Sequence, residues 1–294
     1  MRNWLLNKIS VRGIAVAFIL MGGVTSTIAQ EERAIPQRIT TKSDMIGYGQ
    51  ASLLDTYLSA ETYTGYRIDY LSHIMRTKEE SRWMQLKIHQ GNFTYAKNRA
   101  KNAYEMEGMY QFEYGVFYQW QLFEKHLQLM TGGKMNLHAG ALYNGRNGNN
   151  PMQAKLGVNI APALILSYAL KIQKVPLQLR YELSTPIVGM MFSPNYGQSY
   201  YEIFSRGDYD HNIVCTHLGN APALKQLVTL DFTLWKTTFR VGYLGDYQQA
   251  NVNNLKYHSY SNSLVIGLVK KFTLTHISYH EKALMHTRIK SGAM

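Results

Sequence analysis

Tyr110-Gln-Phe-Glu-Tyr-Gly-Val-Phe-Tyr-Gln-Trp-Gln-Leu122 puts an apolar or aromatic side chain at every even position: Tyr110, Phe112, Tyr114, Val116, Tyr118, Trp120 and Leu122. Gln111, Glu113, Gly115, Gln119 and Gln121 at the odd positions are polar or small, with Phe117 the one break. Successive side chains of a strand point to opposite faces. This run therefore reads as a two-faced strand, greasy on one side and wet on the other. Its thirteen residues exceed the usual strand of about five or six. They suffice for a tilted crossing of a bilayer, which takes roughly nine to eleven.

Working outward, the same alternation recurs. Ten segments are expected to be strands: Ile46–Asp55, Thr62–Ile74, Arg82–Tyr95, Tyr110–Leu122, His126–Tyr143, Met152–Ile172, Val175–Thr185, Leu224–Trp235, Thr237–Gln248 and Tyr257–Phe272. In the third, Met84, Leu86 and Ile88 form the greasy face against Gln85, Lys87 and His89. Pro162 inside the sixth marks a bulge or bend, because proline cannot donate to a ladder. Short connections (Arg76–Ser81, Glu124–Lys125, Gln173–Lys174, Lys236) alternate with mostly longer ones (Thr56–Glu61, Ala96–Tyr104, Asn144–Pro151, Pro186–Ala223, Gln249–Lys256). That is the arrangement of a barrel with tight turns at one end and loops at the other. Ile213–Leu218 either joins the sheet or makes a hairpin in the longest loop. The expected fold is all-β, a transmembrane antiparallel β-barrel of about ten strands, up to twelve; a secreted soluble sandwich is the alternative. Lipid cannot satisfy free backbone groups, so a spanning sheet has to close. Tyr110, Tyr118, Trp120, Tyr143, Tyr168 and Tyr247 suit the aromatic girdles at head-group level.

The N-terminus points to export. Arg2, Lys8 and Arg12 precede the apolar run from Ile14 to Met21, and small or polar residues follow to Ala29. This is the plan of a signal peptide, and the run is too short to span. Residues 1–29 are read as signal peptide, 30–44 as a periplasmic lead-in, 45–272 as the barrel and 273–294 as a C-terminal tail. Mean hydropathy is −0.25, as expected where apolar and polar residues alternate. The one cysteine, Cys215, rules out an intramolecular disulfide framework. The net charge of +12 would suggest nucleic acid in a cytosolic protein. In an exported one it suits outer-membrane lipid, including anionic lipopolysaccharide.

The wet faces collect Arg67, Asp69, Lys87, His89, Glu113, Lys134, Arg180, Glu182, Asp231, Arg240 and Asp246. A barrel of about eight strands is filled by its own side chains. At ten, these charges are expected to form a structural ionic plug, paired because buried charge must be. A narrow conducting pathway is the sharper alternative. The most chemical-looking cluster is Asp208, Asp210 and His211 in the longest loop, weak candidates for a base oriented by a carboxylate. Solvated loop polarity is the simpler reading of them. His258-Ser-Tyr-Ser261 has the wrong spacing for the His–Ser pair of an outward-facing lipase. The histidines lack metal-binding spacing, and no cofactor motif is present. Tyr196, Tyr200, Tyr201, Phe204 and Tyr209 make an aromatic surface in the longest loop, suited to contact with a partner. Basic Lys97-Asn-Arg-Ala-Lys101 is a solvated loop or a contact for lipid phosphate.

Ser184-Thr-Pro-Ile-Val-Gly189 and Phe192-Ser-Pro-Asn-Tyr-Gly-Gln-Ser-Tyr-Tyr-Glu-Ile-Phe204, with Ile46-Gly-Tyr-Gly-Gln-Ala-Ser52 and Arg240-Val-Gly-Tyr243, resemble domain of unknown function family 3316. This is an uncharacterised family of exported Bacteroidota barrels. The resemblance spans roughly Met45 to Phe272 and implies an outer-membrane β-rich protein with no assigned activity. A terminal aromatic such as Phe272 resembles the signal read by the barrel-assembly machinery, the expected partner in biogenesis. The functional expectation is a structural or surface-interaction protein. A narrow pore and a surface protease or lipase are the alternatives.

Overall fold

The computed structural model describes residues 38–78, 81–124, 126–148, 150–172 and 175–274. The proposed signal peptide and the tail beyond Leu274 lie outside the described residues. In chain order the elements are β1 (Arg38–Asp55), β2 (Ser59–Lys78), β3 (Trp83–Lys97), β4 (Tyr104–Leu122), β5 (Leu127–Asn144), β6 (Met152–Ile172) and β7 (Val175–Ser184). There follow β8 (Val188–Phe192), α1 (Tyr200–Phe204), β9 (Ile213–His217), β10 (Ala223–Leu234), β11 (Thr237–Val252) and β12 (Leu255–Leu274).

Ten strands close on themselves in the order β5-β4-β3-β2-β1-β12-β11-β10-β7-β6, with β6 returning to β5. Each neighbouring pair is antiparallel. The two remaining strands extend the wall locally: β8 pairs with β6 beyond the end of β7, and β9 pairs with β8. The β6 partner register steps by one residue between Ala163↔Ser184 and Ile160↔Val188. The step falls opposite Pro162, so the irregularity expected at the proline is a bulge in the chain beside it.

The apolar face looks outward. Ile46, Val116, Met135, Ile160, Leu179, Leu264 and Ile266, from six strands around the ring, are 39% to 73% exposed. Polar Arg67, Asp69, Gln90, Glu113, Asp231 and Asp246 are nearly fully buried inside. A soluble sandwich would bury the first set and expose the second. This inversion identifies a barrel that crosses a membrane with its strands.

Three expectations need correction. First, β1 starts at Arg38 and pairs with β12 out to Leu274, so residues 38–44 belong to the wall. Below the apolar band the strand is held by backbone pairing and needs no greasy face. Second, two connections expected to be longer loops are tight. Asn253 and Asn254, at φ 51° and 59°, form a two-residue turn in which asparagine tolerates the left-handed region. Residues 56–58 turn between β1 and β2.

Third, β3 is turned the other way. Met84, Leu86 and Ile88 are buried in the lumen, while Lys87 and His89 face outward. The loop-end half of the strand sets the parity: Gln90, Asn92 and Thr94 point in, and Phe93 and Tyr95 point out. Without a bulge, that parity carries through every residue of the strand. Outside, the Lys87 ammonium lies 5.9 Å from the centre of the Tyr114 ring. His89 Nδ1 sits 2.7 Å from Tyr110 Oη.

Candidate functional site

The lumen is ordered by height, and three strands repeat the same sequence of layers. From the loop end toward the turn end, charge gives way to an apolar residue and then to charge again. Asp69, Leu71 and His73 do this on β2, Asp246, Leu244 and Arg240 on β11, and Lys225, Leu227 and Asp231 on β10. Met45, Leu71, Leu227, Leu244 and Val265 form one apolar cluster; Met84, Leu86, Ile88, Phe117, Met130 and Ile165 form another. Phe117, the break in the alternation of β4, is fully buried here.

Above the apolar layer, Arg67 donates from Nε to Asp69 Oδ1 at 2.8 Å and from Nη2 to Asp246 Oδ2 at 2.9 Å. Ser263 Oγ donates to Asp69 Oδ2 at 2.7 Å. Glu113 accepts from Lys134 at 2.5 Å and Lys225 at 2.7 Å. Nearer the loop end, Lys155 donates to Asp55 at 2.5 Å, with its ammonium 3.7 Å from the Tyr257 ring centre. Glu107 accepts from Tyr257 and Ser259, and Glu105 from Asn144. Neutral donors there take the place of cations. Below the apolar layer, Arg240 grips Asp231 through two bonds of 2.6 and 2.7 Å and reaches Ser43. Arg180 donates to Glu182 at 2.6 Å, and His73 lies 3.6 Å from the same carboxylate.

The sequence-derived lumen set is thus brought together except for Lys87, which lies outside the wall with His89. Sequence reasoning missed Asp55, Glu105, Glu107, Lys155 and Lys225 as members. All five share the inward parity of their strands, and Lys225 already stood on the polar face of its strand in the sequence. Glu105 and Glu107 precede the expected start of β4, so extending its alternation upward would have found them.

Little free space remains. A cavity of about 100 Å³ lies beside Glu113, Lys134 and Lys225. At roughly 30 Å³ per water it suits about three. Asn136 Oδ1 and Asn159 Oδ1, which have no protein partner, belong to residues lining it. A second cavity, of about 20 Å³ and lined by Leu71, Leu86, Phe117 and Leu244 among others, has room for about one water.

Residues 185–222 fold across the loop end. Tyr57 donates to the Gln198 carbonyl at 2.9 Å, and the Ala154 N–H donates to Tyr200 Oη at 2.6 Å. Asn253 Nδ2 donates to the carbonyls of Ser193 and His211. These anchors belong to the β1–β2 turn, β6 and the β11–β12 turn. α1 starts in a capping box, with Ser199 and Glu202 satisfying each other's backbone N–H groups. Those bonds hold the Glu202 carboxyl below its ordinary range. Burial pushes the Tyr57 and Tyr200 phenols up to about 12. Ile203 packs underneath, while Tyr196, Tyr201, Phe204 and Tyr209 are at least 63% exposed. Tyr200, the fifth expected surface aromatic, instead turns inward against Tyr57 and Phe192. His211 Nδ1 pairs with Asp210 Oδ1 at 2.7 Å, both more than three-quarters exposed. Asp208 is bound through its backbone, its N–H to the Glu202 carbonyl and its C=O to Gln198 Nε2. Among the described residues no group of three His, Cys, Asp or Glu side chains could hold a metal ion.

The family described as a protein of unknown function (DUF3316) matches residues 14–278. No curated protein matches the chain. Among solved structures it is similar to the transport unit of the autotransporter AIDA-I from Escherichia coli, at 9% identity and TM-score 0.35, covering 87% of this chain and 97% of that one. It is also similar to the translocator domain of the autotransporter NalP from Neisseria meningitidis, at 8% identity and TM-score 0.33, covering 81% and 90%. An outer-membrane channel from Pseudomonas putida F1 is similar at 9% identity and TM-score 0.35, covering 84% and 100%. Superposition at this level is loose, and the strand pairing given above carries the fold.

Proposed function

This chain belongs to the DUF3316 family, and from its own geometry we propose that it is an outer-membrane barrel that conducts no solute and acts through the surface it presents outside the cell. One observation carries the reading: side chains cross the lumen in layers, buried ion pairs of Arg67, Asp69, Asp246, Glu113 and Lys134 on one side of an apolar layer and those of Arg240, Asp231, Arg180 and Glu182 on the other. The signal-peptide pattern of residues 1–29 supports export, and the outward apolar ring supports residence in a bilayer. Insertion would then be the task of the barrel-assembly machinery. Lys97 and the basic β3–β4 turn, Arg99 and Lys101, would face the anionic phosphates of lipopolysaccharide. The exposed aromatics of residues 196–209 would be the contact surface for a partner. Asp210 and His211 lack a third group and a cleft, so a hydrolytic role draws no support from their geometry.

Fractionation of cells, followed by trypsin treatment of intact cells, tests this. The protein should co-sediment with the outer membrane, migrate faster before boiling than after, and be nicked at Arg206 from outside. Recovery in the soluble fraction would contradict the proposal.

A further inference from the structure

At the loop end the outer wall is polar in one sector and greasier in another. At the loop-end third of the outward face, β4 and β6 carry Met106, Tyr110 and Leu156, whereas β1 and β12 carry Gln50, Ser52, His258 and Asn262. Polar side chains that face lipid are costly unless something satisfies them.

Gln50, Ser52 and Asn262, with Thr64 and Ala51, line a groove of about 430 Å³. Tyr66 on β2 and Tyr260 on β12 stand on its two sides. The register sets them at opposite corners, Tyr66 across from Gln50 and Asn262 and Tyr260 across from Ser52 and Thr64. Both walls are held in place. Tyr66 stacks on Tyr48 at 5.7 Å. Tyr260 stacks on His258 at 4.6 Å and donates to Gln249 at 2.6 Å. The polar groups are held too. His258 Nε2 lies 3.4 Å from Ser52 Oγ. Asn262 Oδ1 accepts from Tyr243 and Tyr247, which leaves the amide NH₂ to offer. The wall bends tightly here: a Cβ at Gly49 would meet the Asn262 carbonyl oxygen at 1.9 Å, and one at Gly65 the Tyr95 carbonyl oxygen at 2.0 Å. Bends of this kind use glycine.

No lysine, arginine or carboxylate lines the groove. Its chemistry is two aromatic walls with amide and hydroxyl groups between them. That combination suits a neutral polyhydroxylated ring, whose C–H faces lie on aromatics and whose hydroxyls exchange hydrogen bonds with amides. A phosphate would find no charge to pair with. Directly toward the turn end, Ile46, Leu264 and Ile266 continue the same face as an exposed apolar strip, where acyl chains would lie. We infer that this groove binds the uncharged sugar head group of a membrane glycolipid. Gln50, Ser52, Thr64 and Asn262 supply its hydrogen bonds, and Tyr66 and Tyr260 its stacking faces. The inference rests on the membrane reading above.

The test uses the full mature chain in phosphatidylcholine nanodiscs doped equally with monogalactosyl diacylglycerol and phosphatidylglycerol. Native mass spectrometry then counts the lipids each barrel retains. Two or so hydrogen bonds plus stacking predict about tenfold preference for the galactolipid. Gln50→Leu/Asn262→Leu and the groove-filling Ser52→Trp should both reduce it to parity while keeping heat-modifiable migration. Parity in the wild type, a preference for phosphatidylglycerol, or an undiminished preference in both variants overturns the inference. So does equal binding of free methyl galactoside, which would remove the lipid from the claim. A chain that fails to insert defeats the membrane reading and this one with it; one that inserts without preference defeats this one alone.

Discussion

Arg67→Leu is the sharpest probe of a sealed interior. Arg67 is 1% exposed and is the ion-pair partner of both Asp69 and Asp246, themselves 0% and 2% exposed. Removing the cation leaves two buried carboxylates facing each other without their counter-ion. Breaking a buried pair in this way costs about 3–5 kcal/mol. Replacing the whole group with neutral side chains is often nearly neutral, because desolvation of the charges is removed along with their attraction. The triple variant Arg67→Leu/Asp69→Asn/Asp246→Asn should therefore recover to within about 1–2 kcal/mol of wild type. Urea unfolding of barrels refolded in vesicles measures this, read from Trp83, Trp120 and Trp235, which sit on the outer wall and turns. A single variant within about 1 kcal/mol of wild type, the range of exposed pairs, would refute the reasoning, because it would mean that water screens these charges.

Further outcomes follow from the same geometry. Phe117→Ala, in the apolar storey, should cost about 3–5 kcal/mol in that unfolding assay, a loss that a lipid-facing phenylalanine would not show. Lys87→Ala should change stability by less than about 0.5 kcal/mol, since Lys87 lies outside; Lys134→Ala should cost about 1.5–3 kcal/mol, limited because Glu113 keeps Lys225. Asn253→Ala removes the side chain that ties the β11–β12 turn to Ser193 and His211, so trypsin should nick residues 195–211 several-fold faster. Docking of that segment through Tyr57 and Tyr200 should persist to high pH. Free phenols titrate near 10 and these near about 12, so their contribution is whole below pH 10 and is lost as pH rises through about 12. Tyr57→Phe should flatten that alkaline dependence of protease sensitivity.

How far the sequence could be read depended on what lay on both sides of each strand. β7 and β10 alternate cleanly, and β4 does so except at Phe117, because lipid is on one side and charge on the other, and their facing was legible residue by residue. β3 was misread over Met84–Ile88 because the lumen is itself apolar at that height. A greasy residue there faces the core and a lysine snorkels outside, so polarity alone no longer identifies the inner face. The evidence for parity sat further along the same strand, at Gln90, Asn92 and Thr94. The β11–β12 turn was hidden for a related reason: Gln249, Asn251 and Lys256 look like loop residues, yet all three are paired strand residues of the wall. The groove between Tyr66 and Tyr260 was not legible, because it joins β1, β2 and β12, whose register only the fold supplies.

Planar-bilayer recording of the purified mature protein tests the sealed lumen most directly. Three filled storeys predict a flat current, with no discrete steps across the voltage range, from protein whose heat-modifiable migration shows that it is folded. Steady, reproducible conductance steps from the same folded preparation, persisting after residues 195–211 are trimmed by trypsin, would contradict the account.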